Sequence, residues 1–275
     1  MERLQAALEK ARATRKNVGG VPAPGSRKTA GRLDNQAAEQ MFAEIPMMEV
    51  KARDMKRNRI IATDQGPAAA PHDVLRTKVL QLIGAQNWKR VAITSPTPGC
   101  GKSTVAANLA ASFGRLSETR VTLFDFDMRR PALAKILGQS GEYSVPDVLR
   151  GDVTLSQQAR RLTPNVAISM NYARHADPTE VILRQRTVET LDDIERSYRP
   201  NLMLFDMPPL LGTDETAAFM AQVDCAIIVA EAEASTMKQI DICEKDLAQV
   251  TNVLGVVLNK CHFPDDRSGD GYYYY

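Results

Sequence analysis

From about residue 72 onward, short apolar runs alternate with longer stretches of helical period. Six runs read as strands: RVAITS (90–95), RVTLFDFD (120–127), NVAISM (165–170), NLMLFDMP (201–208), CAIIVAEA (225–232) and VLGVVLNK (253–260). Between them lie HDVLRTKVLQLI (72–83), KSTVAANLAASFGRL (102–116), TEVILRQRTVETLDDIERSY (179–198) and MKQIDICEKDLAQV (237–250), which read as helices. Nearly all-apolar strands alternating with amphipathic helices predict an α/β fold, a mostly parallel sheet covered on both faces. Upstream, Leu4, Ala7, Leu8 and Ala11 recur at helical spacing and predict a helix over 1–16. NVGGVPAPGSRKTAGR (17–32) has Gly, Pro and Ser without an apolar period and reads as a flexible linker. A mixed segment follows to Gln65, then the break GPAAAP (66–71). The expected division is an N-terminal helix and linker (1–65), a folded domain (66–261) and a polar, Gly-containing tail (262–275).

Charge sharpens this division. The first 32 residues hold eight Lys or Arg against Glu2 and Glu9. A basic amphipathic helix on a tether suits an anionic membrane surface, with a solvated or partner-docking helix as the alternative. The whole chain of 275 residues carries 35 Lys+Arg and 33 Asp+Glu, a net +2, so a strongly basic nucleic-acid binder is excluded. Cys100, Cys225, Cys243 and Cys261 are widely spaced with no CxxC pair, which fits a reducing cytoplasm rather than a disulfide scaffold. No apolar run approaches ~18 residues, so no transmembrane helix is expected.

Candidate chemistry concentrates between the first strand and its helix. Thr94-Ser-Pro-Thr-Pro-Gly-Cys-Gly-Lys-Ser-Thr104 resembles a Walker A loop, G-x-x-x-x-G-K-[ST], with Pro96 at the first glycine. Gly99 and Gly101 let backbone N–H groups turn toward phosphate, and the helix that follows offers its positive end. Pro98, Gly99, Cys100, Gly101, Lys102, Ser103 and Thr104 are thus the candidate phosphate cradle. Lys102 would meet the β- and γ-phosphates and the Ser103 hydroxyl Mg²⁺. Cys100 is either a thiolate activated by the helix end and Lys102, or a spectator whose backbone alone matters. Asp125, Asp127 and Asp206 fall at the carboxyl ends of strands, where open parallel sheets bind ligands, and supply hard oxygen ligands for Mg²⁺.

The set GCGKST, FDFDMRRP and LFDMPP resembles the bacterial P-loop tyrosine kinases (BY-kinases) of capsule and exopolysaccharide systems. YSVPDVLRGD (143–152), DPTEVI (177–182), Thr213-Asp214 and LGVVLNK (254–260) extend the similarity, and LQAALEKARATR resembles the leader of some members. The resemblance implies a P-loop NTPase fold of the deviant Walker A type. It implies an ATP- and Mg²⁺-dependent protein-tyrosine autokinase that regulates polysaccharide polymerisation and export. Lys102 and Ser103 become the phosphate and Mg²⁺ groups, Asp127 and Asp206 Mg²⁺ ligands, and Asp125 the acceptor of the tyrosine proton. Arg129 and Arg130 would steady phosphate or a neighbouring chain, and Asn259 the adenine edge.

Four of the seven tyrosines are consecutive, Tyr272, Tyr273, Tyr274 and Tyr275. In the resembled family a tyrosine cluster is autophosphorylated, which makes these four the expected phosphoacceptors. The family also implies a membrane polysaccharide co-polymerase as separate activator, other tyrosine-bearing protein substrates, and a cytoplasmic site of action, peripheral at the inner membrane. Its ring-forming helix carries E-x-x-R-x-x-R; here that register gives Ala70, Asp73 and Arg76, so a homo-oligomer is a possibility rather than a requirement. The rival readings are a partitioning-type ATPase switch and a non-catalytic nucleotide-binding scaffold. The switch resembles K-G-G-x-G-K-[ST], but Thr97 and Pro98 stand where its signature lysine region falls.

Overall fold

The computed structural model describes residues 27–261. The expected helix 1–16 and the tyrosine run 272–275 lie outside the described residues. Two compact units divide between Ala37 and Ala38. In the first, the described residues form the start of a helix, Arg27–Glu44. The linker expected over 17–32 is therefore helical from Arg27 on. The Pro/Gly cluster ends at Gly25, and good helix formers follow it, with Gly31 tolerated among them.

The second unit is built on a seven-stranded sheet in the order β3-β4-β2-β5-β1-β6-β7. The strands are β1 (Arg90–Thr94), β2 (Val121–Asp125), β3 (Arg160–Thr163), β4 (Val166–Ser169), β5 (Leu202–Asp206), β6 (Cys225–Glu231) and β7 (Asn252–Asn259). Neighbours are parallel except β3 and β4. All six expected strands are present. The seventh, β3, is a four-residue polar edge strand, RRLT, whose sequence carries no apolar signal. β2 and β5 are buried along their whole length, as strands covered on both faces must be.

Residues upstream of the expected boundary at 66 belong to this core. Ala38, Phe42, Ile45, Met48, Met55, Ile60 and Ala62 are buried. Their apolar side chains are scattered among charges, so no long period announces them. Arg161 of β3 fastens the segment, donating from its guanidinium to the carbonyls of Ile45 (2.7 Å) and Ala43 (2.9 Å). These are carbonyls a helix C-terminus leaves unpaired. The helix expected over 179–198 is two helices, Pro178–Leu183 and Gln185–Tyr198, with extended backbone at Arg184. The Thr187 hydroxyl donates to the Val181 carbonyl at 2.6 Å, competing with the helical ladder there.

The helix Ala70–Gln86 carries Asp73 and Arg76, and both are engaged within the unit. Asp73 accepts from the Ser112 hydroxyl at 2.6 Å and from the Arg115 guanidinium, and Arg76 donates to the Ser112 carbonyl at 2.9 Å. The cluster ties this helix to the helix Lys102–Phe113 that follows the phosphate loop.

Phe42→Ala is expected to destabilise the protein by about 3–5 kcal/mol. Urea unfolding checks it; an unchanged midpoint would show that residues 38–48 contribute nothing to the fold.

Candidate active site

Sheet register assembles the carboxylates. Asp125 pairs opposite Asp206 where β2 meets β5, and Ile93 of β1 pairs with Asp206 on the other side. Leu123 and Leu204 pack in the core that holds Val105 and Leu109 of the Lys102–Phe113 helix, whereas Phe124 and Phe205 pack in the opposite core. Alternation therefore turns Asp125 and Asp206 toward that helix. Asp127 follows two residues later on the same side.

The loop reaches the carboxylates through two glycines in left-handed backbone. Gly99 has φ +92° and Gly101 φ +88°. A Cβ on Gly101 would lie 2.2 Å from Asn259 Nδ2, so side chains are excluded by space as well as by backbone. Asn259, at the end of β7, donates that amide to the Cys100 carbonyl at 2.8 Å. The group expected at the adenine edge is thus occupied in pinning the loop. Cys100 is buried, its Sγ 3.2 Å from the Thr97 carbonyl and 3.7 Å from the Ser235 hydroxyl. Burial pushes this thiol up, but hydrogen bonds from Thr97 and Ser235 outweigh it and leave its pKa below the ordinary value.

Lys102 donates to Asp127 Oδ2 at 2.8 Å, and Asp127 Oδ1 accepts from the Arg130 N–H at 3.0 Å. Burial opposes the Lys102 charge, yet Asp206, Asp127 and Asp125 together overcome it and raise the ammonium pKa. Asp125 is completely buried, with Oδ2 accepting weakly from the Leu133 N–H at 3.3 Å and Oδ1 unpartnered. Burial first, then the charges of Asp206 and Asp127, hold its pKa well above the carboxylate range. Asp206 is also completely buried, and neither carboxylate oxygen has a hydrogen-bond partner. Burial raises its pKa to about 6, against the pull of Lys102 and of the Ser103 hydroxyl.

A cavity of about 600 Å³ opens beside this cluster. Pro98, Gly99, Gly101, Lys102, Ser103 and Thr104 line it from the loop, Asp127, Arg129 and Arg130 from the segment after β2. Asp125, Asp206, Cys100 and Asn259 are not among its lining residues; they form the layer behind. The wall opposite the loop contains Asp214 and Glu215, of which sequence reasoning reached only the Thr213-Asp214 pair. Glu215 is completely buried and holds Arg129. A glutamate in a helical first turn reads as an exposed cap, so no sequence signal marked it.

A family model described as ParA: NUBPL iron-transfer P-loop NTPase matches residues 87–275. That is more than half of the chain, which therefore belongs to this family of P-loop NTPases. The chain is 34% identical, over 82% of its length, to the provisionally named tyrosine-protein kinase EpsB of Ralstonia nicotianae. It is 27% identical, over 80% of its length, to the tyrosine-protein kinase Wzc of Salmonella typhimurium. It spans about a third of either relative, 31% and 32% respectively. Among solved structures, the VpsO kinase domain is 27% identical with a TM-score of 0.63, covering 70% of this chain and 96% of that one. The kinase domain of the Escherichia coli tyrosine kinase ETK, at 23% identity, shares the fold with a TM-score of 0.67 over 87% of this chain and 98% of that one. Within the P-loop family, the chain is of the bacterial tyrosine-kinase type, with the fold of that kinase domain.

The elevated Asp206 pKa has a consequence for stability. Between the ordinary carboxylate pKa of about 4 and about 6, the folded state retains a proton that the unfolded chain has released. Stability from this group therefore falls as pH rises through that window. Asp206→Asn is expected to gain stability over the wild type between pH 4 and 7, read from melting midpoints across that range. A difference that stays constant with pH sinks the assignment.

Proposed function

We propose that the protein is an ATP- and Mg²⁺-dependent tyrosine kinase domain that phosphorylates the tyrosine run Tyr272–Tyr275 and acts in polysaccharide polymerisation and export. The observation that carries this reading is the meeting around one cavity of a glycine-formed phosphate loop, Lys102, Ser103 and Asp127, with the buried carboxylates of Asp125 and Asp206 in the layer behind. The unpartnered oxygens of Asp206 and the unpaired Oδ1 of Asp125 suit a divalent cation, because buried carboxylate oxygens otherwise find hydrogen-bond donors.

ATP with Mg²⁺ supplies the phosphoryl group and charge that neutralises its oxygens. Loop N–H groups from Gly99 to Thr104 and the positive end of the helix would bind phosphate. Lys102 would exchange Asp127 for the β- and γ-phosphoryl oxygens. Ser103, Asp127 and Asp206 would hold the metal, directly or through water. A tyrosine hydroxyl, with a pKa near ~10, is a poor nucleophile at neutral pH. A loose phosphoryl transfer depends on in-line positioning and charge stabilisation more than on a strong base. The resemblance makes Asp125 the acceptor of the tyrosine proton; it is completely buried behind the cavity, and Asp127 is the carboxylate of that motif on the cavity wall. The absence of a lysine at Thr97 and Pro98 favours a kinase over the dimeric switch.

In this reading the domain works in the cytoplasm at the inner membrane, with a membrane co-polymerase as activator. No helix among the described residues is long and apolar enough to cross a membrane. The basic segment 1–32 adds affinity for anionic lipid.

Intact mass after incubation with ATP and Mg²⁺ tests the proposal. Phosphate additions are expected on peptides containing Tyr272–Tyr275, and none in Lys102→Met. ATP turnover without tyrosine labelling, with and without a candidate activator's cytoplasmic segment, would favour the switch; nucleotide binding without turnover would favour the scaffold.

A further inference from the structure

Arg129 and Glu215 face each other across the cavity wall, and their pairing is asymmetric. Arg129 is half exposed, whereas the Glu215 side chain is completely buried. The contact is made through Arg129 Nε, 2.5 Å from Glu215 Oε1. The same oxygen accepts from the Thr179 hydroxyl at 3.3 Å, and Oε2 has no partner. Glu215 is held in place from below. It sits in the helix Asp214–Phe219, whose Phe219 packs against Phe126 and Phe205 at centroid distances of 4.6 and 5.1 Å. Those phenylalanines belong to the segments that end in the aspartate cluster.

This geometry spends one edge of the guanidinium on Glu215. The terminal nitrogens remain for a second acceptor, and both residues line the cavity with Lys102. A planar guanidinium has five donors in a fixed fork, so anchoring Nε fixes where the other four point. Burial of Glu215 makes the anchor strong, because a buried carboxylate without its cation is costly.

We infer that Glu215 is a positioning residue that aims Arg129 at a phosphoryl group in the cavity. The inference rests on the nucleotide-binding reading above. The anion is a phosphate ester with terminal oxygens, either the γ-phosphoryl group of ATP or the phosphate of a phosphotyrosine product.

Calorimetric binding of ATP, of ADP, and of phosphotyrosine to the ADP-loaded full chain distinguishes the two sources. The variants are Arg129→Lys, Glu215→Gln and the double variant, each checked by melting. Arg129→Lys keeps a cation beside Glu215 and loses the fork; Glu215→Gln keeps the shape and loses the charge. Each single variant is expected to cut the preference for ATP over ADP, or the phosphotyrosine affinity, by about tenfold while leaving ADP affinity unchanged. The double variant is expected to be no worse than Arg129→Lys, because Glu215 acts through Arg129. Loss in the ATP arm identifies the γ-phosphoryl group, and loss in the phosphotyrosine arm identifies the product. If Glu215→Gln does not fold, Glu215→Asp replaces it, with the charge kept and the reach shortened. Additive losses, equal losses for ATP and ADP, or no loss in either arm overturn the inference. A wild-type chain that binds no nucleotide overturns the nucleotide reading and this inference with it.

Discussion

One buried ammonium faces three carboxylates at the carboxyl ends of β2 and β5, and the site follows from that imbalance. In a medium of low polarity a single Lys102 cannot neutralise Asp125, Asp127 and Asp206 together. The cluster settles the shortfall by position. Asp127 takes the ion pair, Asp125 has its pKa pushed well above the carboxylate range, and Asp206 is left with a pKa raised to about 6. A few ångströms away, the loop and the helix that follows it present N–H groups that want negative charge. The two halves want opposite things, and neither is satisfied by the other without pulling Lys102 from the phosphate position. A metal–phosphate pair answers both at once, since its cation suits the carboxylates and its anion suits the loop.

The rest of the fold keeps these halves at fixed separation. In-register pairing of β2 with β5 sets Asp125 beside Asp206, and alternation sends the phenylalanines between them to the other face. There Phe124 and Phe205 stack at 5.4 Å, and Phe126 and Phe219 close around them. This aromatic layer carries the helix that holds Glu215. On the loop side, Asn259 pins the Cys100 carbonyl from the end of β7. The distant strand thus has a say in the loop's shape, although it contributes nothing to the cavity wall.

Much of this was legible in the sequence, for physical reasons that also explain the gaps. Strands buried on both faces must be nearly all apolar, so β1, β2, β4, β5 and β6 declare themselves, and β7 does so as an apolar run although it is a partly exposed edge strand. An aspartate ending such a run is conspicuous, and the GCGKST spacing is dictated by phosphate geometry. β3 escaped because an antiparallel edge strand needs only one covered face and here two of its four residues are arginine. Residues 38–62 escaped because their buried side chains come singly from short helices and turns. The Arg184 break escaped because it depends on a side-chain bond from Thr187, not on a breaker residue. Glu215, and the loop contact of Asn259 that accompanies its expected place at the adenine edge, escaped for a shared reason. Each does its work through one contact with a residue remote in sequence, 86 positions away for Arg129 and 159 for Cys100.

The fold by itself does not choose between a switch and a kinase, since the same sheet and loop serve both. The choice falls on what surrounds the phosphate. A dimeric switch brings its extra cation from a second copy through the loop lysine, and Thr97 and Pro98 cannot supply it. Here the additional cations come from within, as Arg129 and Arg130 beside the carboxylate cluster. That arrangement suits transfer to an incoming hydroxyl. In the proposed kinase reading, a neutral tyrosine would meet a wall bearing Asp127, Asp214 and Glu215 without repulsion, whereas a phosphotyrosine product would carry about −1.5 to −2 charges. Only a guanidinium on that wall offsets the mismatch while the product is bound. With Glu215 holding one edge of Arg129, the other edge is the one left to meet that charge.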